Sequence, residues 1–207
     1  MKHLFSITFL ANTLFFIGCS TENPKFKIKN DSLGLLTKNT KVTDLETIFA
    51  EDSIVTSEGI PKLNTIMTTE TAIKDDSVNK KKGIIDPDLM YQKIEVFEKG
   101  GLHLLSLTPT NDSTATIENI RVYDPRYTTE KGLHINSTFK DIKEKYAIKK
   151  IITSMNNVVI LLKESGLYFT IDKKELPESL RYDASLNIEE VQIPDAAKIK
   201  YMMLAWE

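Results

Sequence analysis

Two carboxylates, Asp44 and Asp141, are the polar residues of this 207-residue chain whose surroundings repeat best. Brought together, such a pair could do acid–base work of the glycosidase kind, one carboxyl protonating a leaving group while the other activates water or attacks. The competing role is local. Thr43-Asp-Leu-Glu46 and Thr138-Phe-Lys-Asp141 both match the spacing of a capping box, and an aspartate in a first helical turn satisfies free N–H groups and the helix dipole. Caps recur when a scaffold is duplicated, so Thr43, Asp44, Thr138 and Asp141 are expected to be helix caps. A periplasmic hydrolase using Asp44 and Asp141 is the alternative.

Other chemistries find less to work with. His103 and His134 each lie in a strand-like stretch without a second histidine or a carboxylate at ligand spacing, so zinc or histidine catalysis is not expected. Asp75-Asp76 and Asp86-Pro87-Asp88 lack the alternating ligands and central Gly of a calcium loop. There is no Gly-x-Ser-x-Gly and no Ser-x-x-Lys with its partner motifs. Gly100-Gly101 suits a hairpin turn rather than a phosphate loop, and Lys80-Lys81-Lys82 a solvated loop. With 27 basic against 29 acidic residues, the net charge of −2 gives no field for nucleic acid. No catalytic, cofactor-binding or metal-binding residue is expected.

The amino terminus carries a clearer signal. Lys2 and His3 precede an uncharged run from Leu4 to Ile17, too short to cross a bilayer, which takes about 20 residues, and suited to a signal-peptide core. The run ends in Phe16-Ile17-Gly18-Cys19, and Cys19 is the chain's one cysteine. This resembles the lipobox of bacterial lipoproteins. The resemblance implies cleavage after Gly18, a diacylglycerol on Cys19, and, from Ser20, delivery to the outer membrane, the leaflet left open. Residues 1–18 would be the signal peptide and 19–30 the lipidated cysteine and tether. Asp31-Ser32, Asp52-Ser53, Asp76-Ser77 and Asp112-Ser113 are similar to the O-glycosylation motif of exported Bacteroidota proteins, while turn chemistry explains them equally well.

The elements that must position these residues follow from periodicity. A gapless offset of 97 carries Asp44 onto Asp141, Leu36 onto Leu133, Ile54-Val55 onto Ile151-Ile152, Val96 onto Ile193, and Leu105 and Leu107 onto Met202 and Leu204. Val42, Leu45, Ile48 and Phe49 share one helix face, as do Phe139, Ile142 and Tyr146. Extended segments at Leu33–Leu36 and Leu133–Ile135 lead into these helices. Strands are expected at Leu63–Met67, Thr71–Ile73, Ile94–Phe97, Leu102–Leu107, Thr116–Tyr123, Val158–Leu162, Leu167–Ile171, Ile188–Ile193 and Ile199–Trp206. The pattern predicts an α+β fold of two tandem helix-plus-antiparallel-strand repeats, over 31–110 and 111–207. Asp75 to Asp88, charged and poor in apolar residues, is expected to be a mobile loop.

The segment from Tyr127 to Tyr146, with its Gly132-Leu133 strand and Ser137-Thr138-x-x-Asp141 helix start, resembles an element of uncharacterised Bacteroidota envelope lipoproteins. More distantly it is similar to the repeats of the β-lactamase-inhibitor-like fold and of small outer-membrane assembly lipoproteins. That resemblance implies action by binding proteins and carries no catalytic residue. The expectation is a lipid-anchored, non-catalytic protein of the cell envelope. It would be held to the outer membrane through Cys19 and would bind an envelope protein or a surface glycan.

Overall fold

The computed structural model describes residues 23–56, 93–163, 165–182 and 187–206. Gly18, Cys19, the two strands expected between Leu63 and Ile73, and the 75–88 region lie outside the described residues.

A short 3-10 turn, Pro24–Phe26, opens the described chain. Three two-residue strands follow, β1 (Lys27–Ile28), β2 (Ser32–Leu33) and β3 (Leu36–Thr37), then the one-turn helix α1 (Leu45–Ile48) and β4 (Ser53–Thr56). After the undescribed stretch come β5 (Ile94–Phe97), β6 (His103–Pro109), β7 (Ile117–Val122) and β8 (Thr128–Thr129). The remainder is α2 (Phe139–Lys145), β9 (Ile148–Thr153), β10 (Asn157–Leu162), β11 (Leu167–Asp172) and β12 (Ile199–Ala205).

Eight strands form one antiparallel sheet in the order β4-β5-β6-β7-β12-β11-β10-β9, and a small sheet runs β3-β2-β1-β8. Alternation of side chains fixes the register of the large sheet. Ile54, Val96, Leu105, Val122, Met202, Phe169, Ile160 and Ile151 are register partners in succession across all eight strands. A slip of one residue in any strand would turn that row outward, so the apolar pattern enforces the pairing. Leu33 and Leu36 of the small sheet, Leu45 of α1, and Phe139 and Ile142 of α2 join this inner face in a single core. Hairpin turns complete the large sheet. Gly100 and Gly101 both have φ in the left-handed half, 115° and 94°, and the Gly101 N–H closes the β5–β6 turn on the Glu98 carbonyl.

This architecture corrects the expected fold class. Among the described residues the protein is mostly β, about one-fifth helical (18%), and not a balanced α+β of helix-and-strand repeats. The physical reason is the size of the helices: α1 has four residues and α2 seven, enough to plug an end of the core but not to form a layer. The offset of 97 also fails as a structural rule. It brings α1 onto the last turn of α2, β4 onto β9 and β6 onto β12, but β5 lands on a 3-10 turn at Glu190–Gln192. There Ile188 and Ile193 are buried singly while Val191 is 87% exposed, so the expected strand at Ile188–Ile193 is absent. Leu133–Ile135 is likewise a turn-bounded connection rather than a strand. β6 and β7 pair across position 110, so the large sheet is continuous there.

Candidate functional site

The same alternation that fills the core sends a second row to the other side of the sheet. Val55, Glu95, Ser106, Arg121, Met203, Tyr168, Leu161 and Lys150 are also successive register partners, and none belongs to the core. Beside that row, on adjacent strands, three rings stand like plates in a rack. The Phe97 and His103 centroids are 4.6 Å apart, those of His103 and Tyr123 3.8 Å, and the interplanar angles are 23° and 22°. Arg121 extends the series: its guanidinium lies 4.1 Å from the Tyr201 ring centroid, and one amino group donates to the Tyr123 hydroxyl at 3.4 Å.

Polar bonds hold this face rigid. His103 Nε2 is 2.8 Å from Glu95 Oε2, and the Ser106 hydroxyl donates to the other carboxylate oxygen at 2.9 Å. Serine, acid and histidine therefore meet, but both partners bind the acid. A serine nucleophile needs its own contact with a base, so this trio braces the sheet rather than activating Ser106. Farther along, Asn119 Nδ2 donates to the Tyr168 hydroxyl at 2.7 Å. The stacking decides what the face can bind. His103 spends both ring faces, Phe97 and Tyr123 one each, and Tyr201 is covered by Arg121. What points outward is ring edges and aliphatic groups, which suit shape-complementary packing against protein better than stacking on sugar rings.

A second cluster fixes the start of the fold to the sheet. Lys25 Nζ pairs with the buried Asp52 carboxylate at 2.8 Å and 2.9 Å. Phe26 sits edge-on to the buried Tyr127 at 5.0 Å, with the Arg126 guanidinium 4.3 Å from its centroid. Arg126 in turn forks onto both oxygens of Glu98 at 2.9 Å and onto Asp124 at 2.6 to 3.1 Å. Burial pushes the Asp124 carboxyl up, but the Arg126 guanidinium and backbone N–H outweigh it and leave the group below its ordinary value. Glu98 is lowered chiefly by its hydrogen bonds from Arg126, and the arginine is correspondingly raised by Asp124 and then Glu98. Burial, then the Asp52 charge, pushes the Tyr127 hydroxyl well above its ordinary range.

The residues singled out in the sequence are dispersed. Thr138 caps α2: its backbone N–H donates to Asp141 Oδ2 at 2.8 Å, and the Asp141 N–H returns to the threonine hydroxyl at 3.4 Å. The Thr138 backbone N–H, then its hydroxyl, hold Asp141 below the usual carboxylate value. Asp44 accepts from the Lys41 N–H at 3.3 Å, while among the described residues the Thr43 hydroxyl bonds only its neighbour's carboxylate, at 3.4 Å. Each aspartate therefore serves the turn it stands in, and α1 and α2 lead into opposite edges of the large sheet. His134 Nδ1 accepts from the Asn136 N–H at 3.2 Å. Asp52 is taken by Lys25, Ser32 and Ser53 open β2 and β4, Asp112-Ser113 is an exposed bend, and Asp76-Ser77 lies outside the described residues. Among the described residues no three His, Cys, Asp or Glu groups could hold a metal ion, and no helix is long and apolar enough to cross a membrane.

The sequence reading missed the outer aromatic face and the Arg126 cluster. A local signal existed for the second, in Asp124-Pro-Arg126, whose acid and base lie two residues apart across a turn. For the first, the signal was the polar half of the strand alternation, ignored in favour of the apolar half.

By fold the described residues form a broad antiparallel sheet of eight strands whose core face is packed by a small sheet and two short helices. No protein-family model and no curated protein matches the sequence. Among solved structures it is similar to the crystal structure of the uncharacterized protein yfeY from Escherichia coli. The match covers 87% of this chain and 99% of that chain at 14% identity, with a TM-score of 0.51. At that identity the likeness concerns the fold.

Proposed function

We propose that the protein is a lipid-anchored, non-catalytic binding protein of the cell envelope, and that the outer face of its eight-stranded sheet docks another envelope protein. The observation that carries this reading is the continuous outer row, flanked by the Phe97–His103–Tyr123 stack and the Arg121–Tyr201 pair. Rings and an arginine braced before binding lose little conformational freedom on docking, and such residues dominate protein interfaces. The lipobox-like Phe16-Ile17-Gly18-Cys19 supplies the anchor, in the outer membrane. Acyl chains on Cys19 contribute about 0.8 kcal/mol per buried CH₂, enough with two or three chains for stable attachment. The Lys25–Asp52 pair and the Phe26–Arg126 contact lock the point where that tether meets the sheet. Against the rival hydrolase, Asp141 is engaged in the first turn of α2 and Asp44 in the 3-10 turn Val42–Asp44 that precedes α1.

The test places a photo-crosslinking amino acid at Met203 or Val55, on the outer face, and at Met155, exposed in the β9–β10 turn, in cells expressing the full chain. A discrete envelope-protein adduct from the two face positions and none from Met155 is expected. Adducts that are absent, or the same from all three sites, would overturn the docking reading. Mass spectrometry of the amino-terminal peptide tests the anchor, a bare Cys19 thiol being the contrary result. Hydrolase activity that Asp141→Asn removed without altering folding would favour the enzyme instead.

A further inference from the structure

A groove of about 590 Å³ opens beside the β9–β10 turn, where the chain leaving β11 folds back through two 3-10 turns, Lys173–Glu175 and Glu178–Leu180. Four cations line it: Lys173, which is buried and already engaged, and Lys174, Arg181 and Lys200. Arg181 donates Nε–H to the Leu176 carbonyl at 2.8 Å, which fixes the plane of its guanidinium. Its two terminal amino groups have no partner among the described residues. Lys200 gives two of its three protons to Asp172 Oδ2 at 2.9 Å and Asn157 Oδ1 at 3.1 Å. The Lys174 ammonium is exposed and unpaired among the described residues, its backbone N–H alone being used, on Asp172 Oδ1 at 3.0 Å. Asp172 is the one carboxylate lining the groove among the described residues, and it is already bridged by Lys200 and the Lys174 N–H. Glu175 accepts from the Lys198 N–H and does not line it.

The remaining donors and the surplus of positive charge fit a tetrahedral dianion. A pre-oriented arginine fork binds two oxygens of a phosphate at once, and flanking ammonium groups serve as point charges for the others. The groove also holds far more than one phosphate, and at its rim stands Tyr182, 83% exposed and without a ring partner among the described residues. In contrast to the rings on the sheet face, Tyr182 has neither face covered by another ring or a cation among the described residues. A free aromatic face beside an oxyanion site matches the apolar C–H face of a pyranose.

We infer that this groove binds a phosphorylated sugar, with Arg181, Lys174 and Lys200 on the phosphate and Tyr182 against the ring. The site adjoins the sheet face, the Lys200 ammonium lying 5.3 Å from the Tyr201 ring centroid, but it uses none of the Phe97–His103–Tyr123 stack and stands whether or not that face docks a protein.

The test is calorimetric titration of the detergent-solubilised full chain with glucose 6-phosphate, inorganic phosphate and glucose. Saturable one-to-one binding of the sugar phosphate is expected, with weaker binding of phosphate and none of glucose. Arg181→Lys keeps the charge but loses the fork, and should weaken the sugar phosphate by about tenfold or more. Tyr182→Ala should bring the sugar phosphate down to the level of inorganic phosphate and leave the latter unchanged. Co-sedimentation with vesicles carrying a phosphorylated glycolipid, against the same vesicles with its dephosphorylated form, separates the sources. Phosphate-dependent sedimentation identifies a membrane glycolipid, and binding confined to the free compound identifies a soluble one. The proposal falls if neither form binds saturably, if glucose binds as well as its phosphate, or if Arg181→Lys, with an unchanged near-UV spectrum, binds as tightly as the parent.

Discussion

Replacing Arg126 by Met removes a cation from between two carboxylates while keeping most of the side chain's apolar bulk. The two acids differ sharply. Glu98 is exposed enough to be resolvated, whereas the Asp124 side chain is 1% exposed and Arg126 itself 42%. Breaking a fully buried pair typically costs about 3–5 kcal/mol. Solvent already screens part of this one, and Asp124 keeps the bond from the residue-126 backbone N–H at 2.8 Å, so about 2–3 kcal/mol is expected here. For a chain of this size that corresponds to a loss of about 4–12 °C in Tm.

The sign of the pH dependence follows from the directions of the shifts. In the parent, Asp124 sits below its ordinary 3.8, so its stabilising charge is fully present above that value and is lost as pH falls through the lower folded pKa. In the variant, burial without the cation would put the pKa above 3.8, so the folded state would bind a proton more readily than the unfolded chain. The deficit should therefore be largest near neutrality and shrink as pH falls to about 3. Urea denaturation at both pH values measures it, and Asp124→Asn combined with Arg126→Met should recover much of the loss. A single-variant deficit under about 0.5 kcal/mol, or one of equal size at both pH values, would refute the reasoning.

Three further outcomes are expected. Thr138→Ala should cost about 0.5–2 kcal/mol by removing the α2 cap, whereas Thr43→Ala, which caps nothing, should stay within about 0.5 kcal/mol by the same thermal melt. Gly166→Ala would press a Cβ into the Ala205 carbonyl, backbone against backbone, and should cost about 1–3 kcal/mol with loss of amide protection at the β11–β12 end in hydrogen exchange. Tyr123→Ala should lower the yield of the Met203 crosslink by about tenfold while far-UV circular dichroism is unchanged, since an exposed stacked ring contributes more to an interface than to the fold.

Much of the large sheet was legible, and the reason is local. β5 and β11 carry apolar residues at alternate positions, Val158–Leu162 of β10 is an unbroken apolar run, and the β5–β6 and β10–β11 turns are short and contain Gly. The edge strands were not legible as strands. Ile148-Lys-Lys-Ile-Ile-Thr153 follows a helix directly and places two lysines where a central strand would have apolar groups, the charge that keeps an edge from pairing with another chain. Two-residue strands such as β1 and β8 exist through a parallel pairing of Lys27–Ile28 with Thr128–Thr129, a contact with no local signature. Ile188–Ile193 misled because its apolar residues are separate plugs followed by Pro194. The Thr138–Asp141 box could be read from spacing alone. The groove around Arg181 could not, since it is assembled from Asp172, Lys200 and the turns between them.

The central place of β12 sets the order in which this molecule can be made. Val122 and Met202 are neighbours at the middle of the sheet, so a chain growing from its amino end first has β4–β7 and β9–β11 as two separate blades. Each blade has a raw inner edge until residues 199–205 arrive and zip them together. Such unpaired edges adhere to one another, so the nascent or translocating polypeptide is a natural client for a holding chaperone until β12 has paired. A chain cut before residue 199 would yield aggregate rather than a shorter domain.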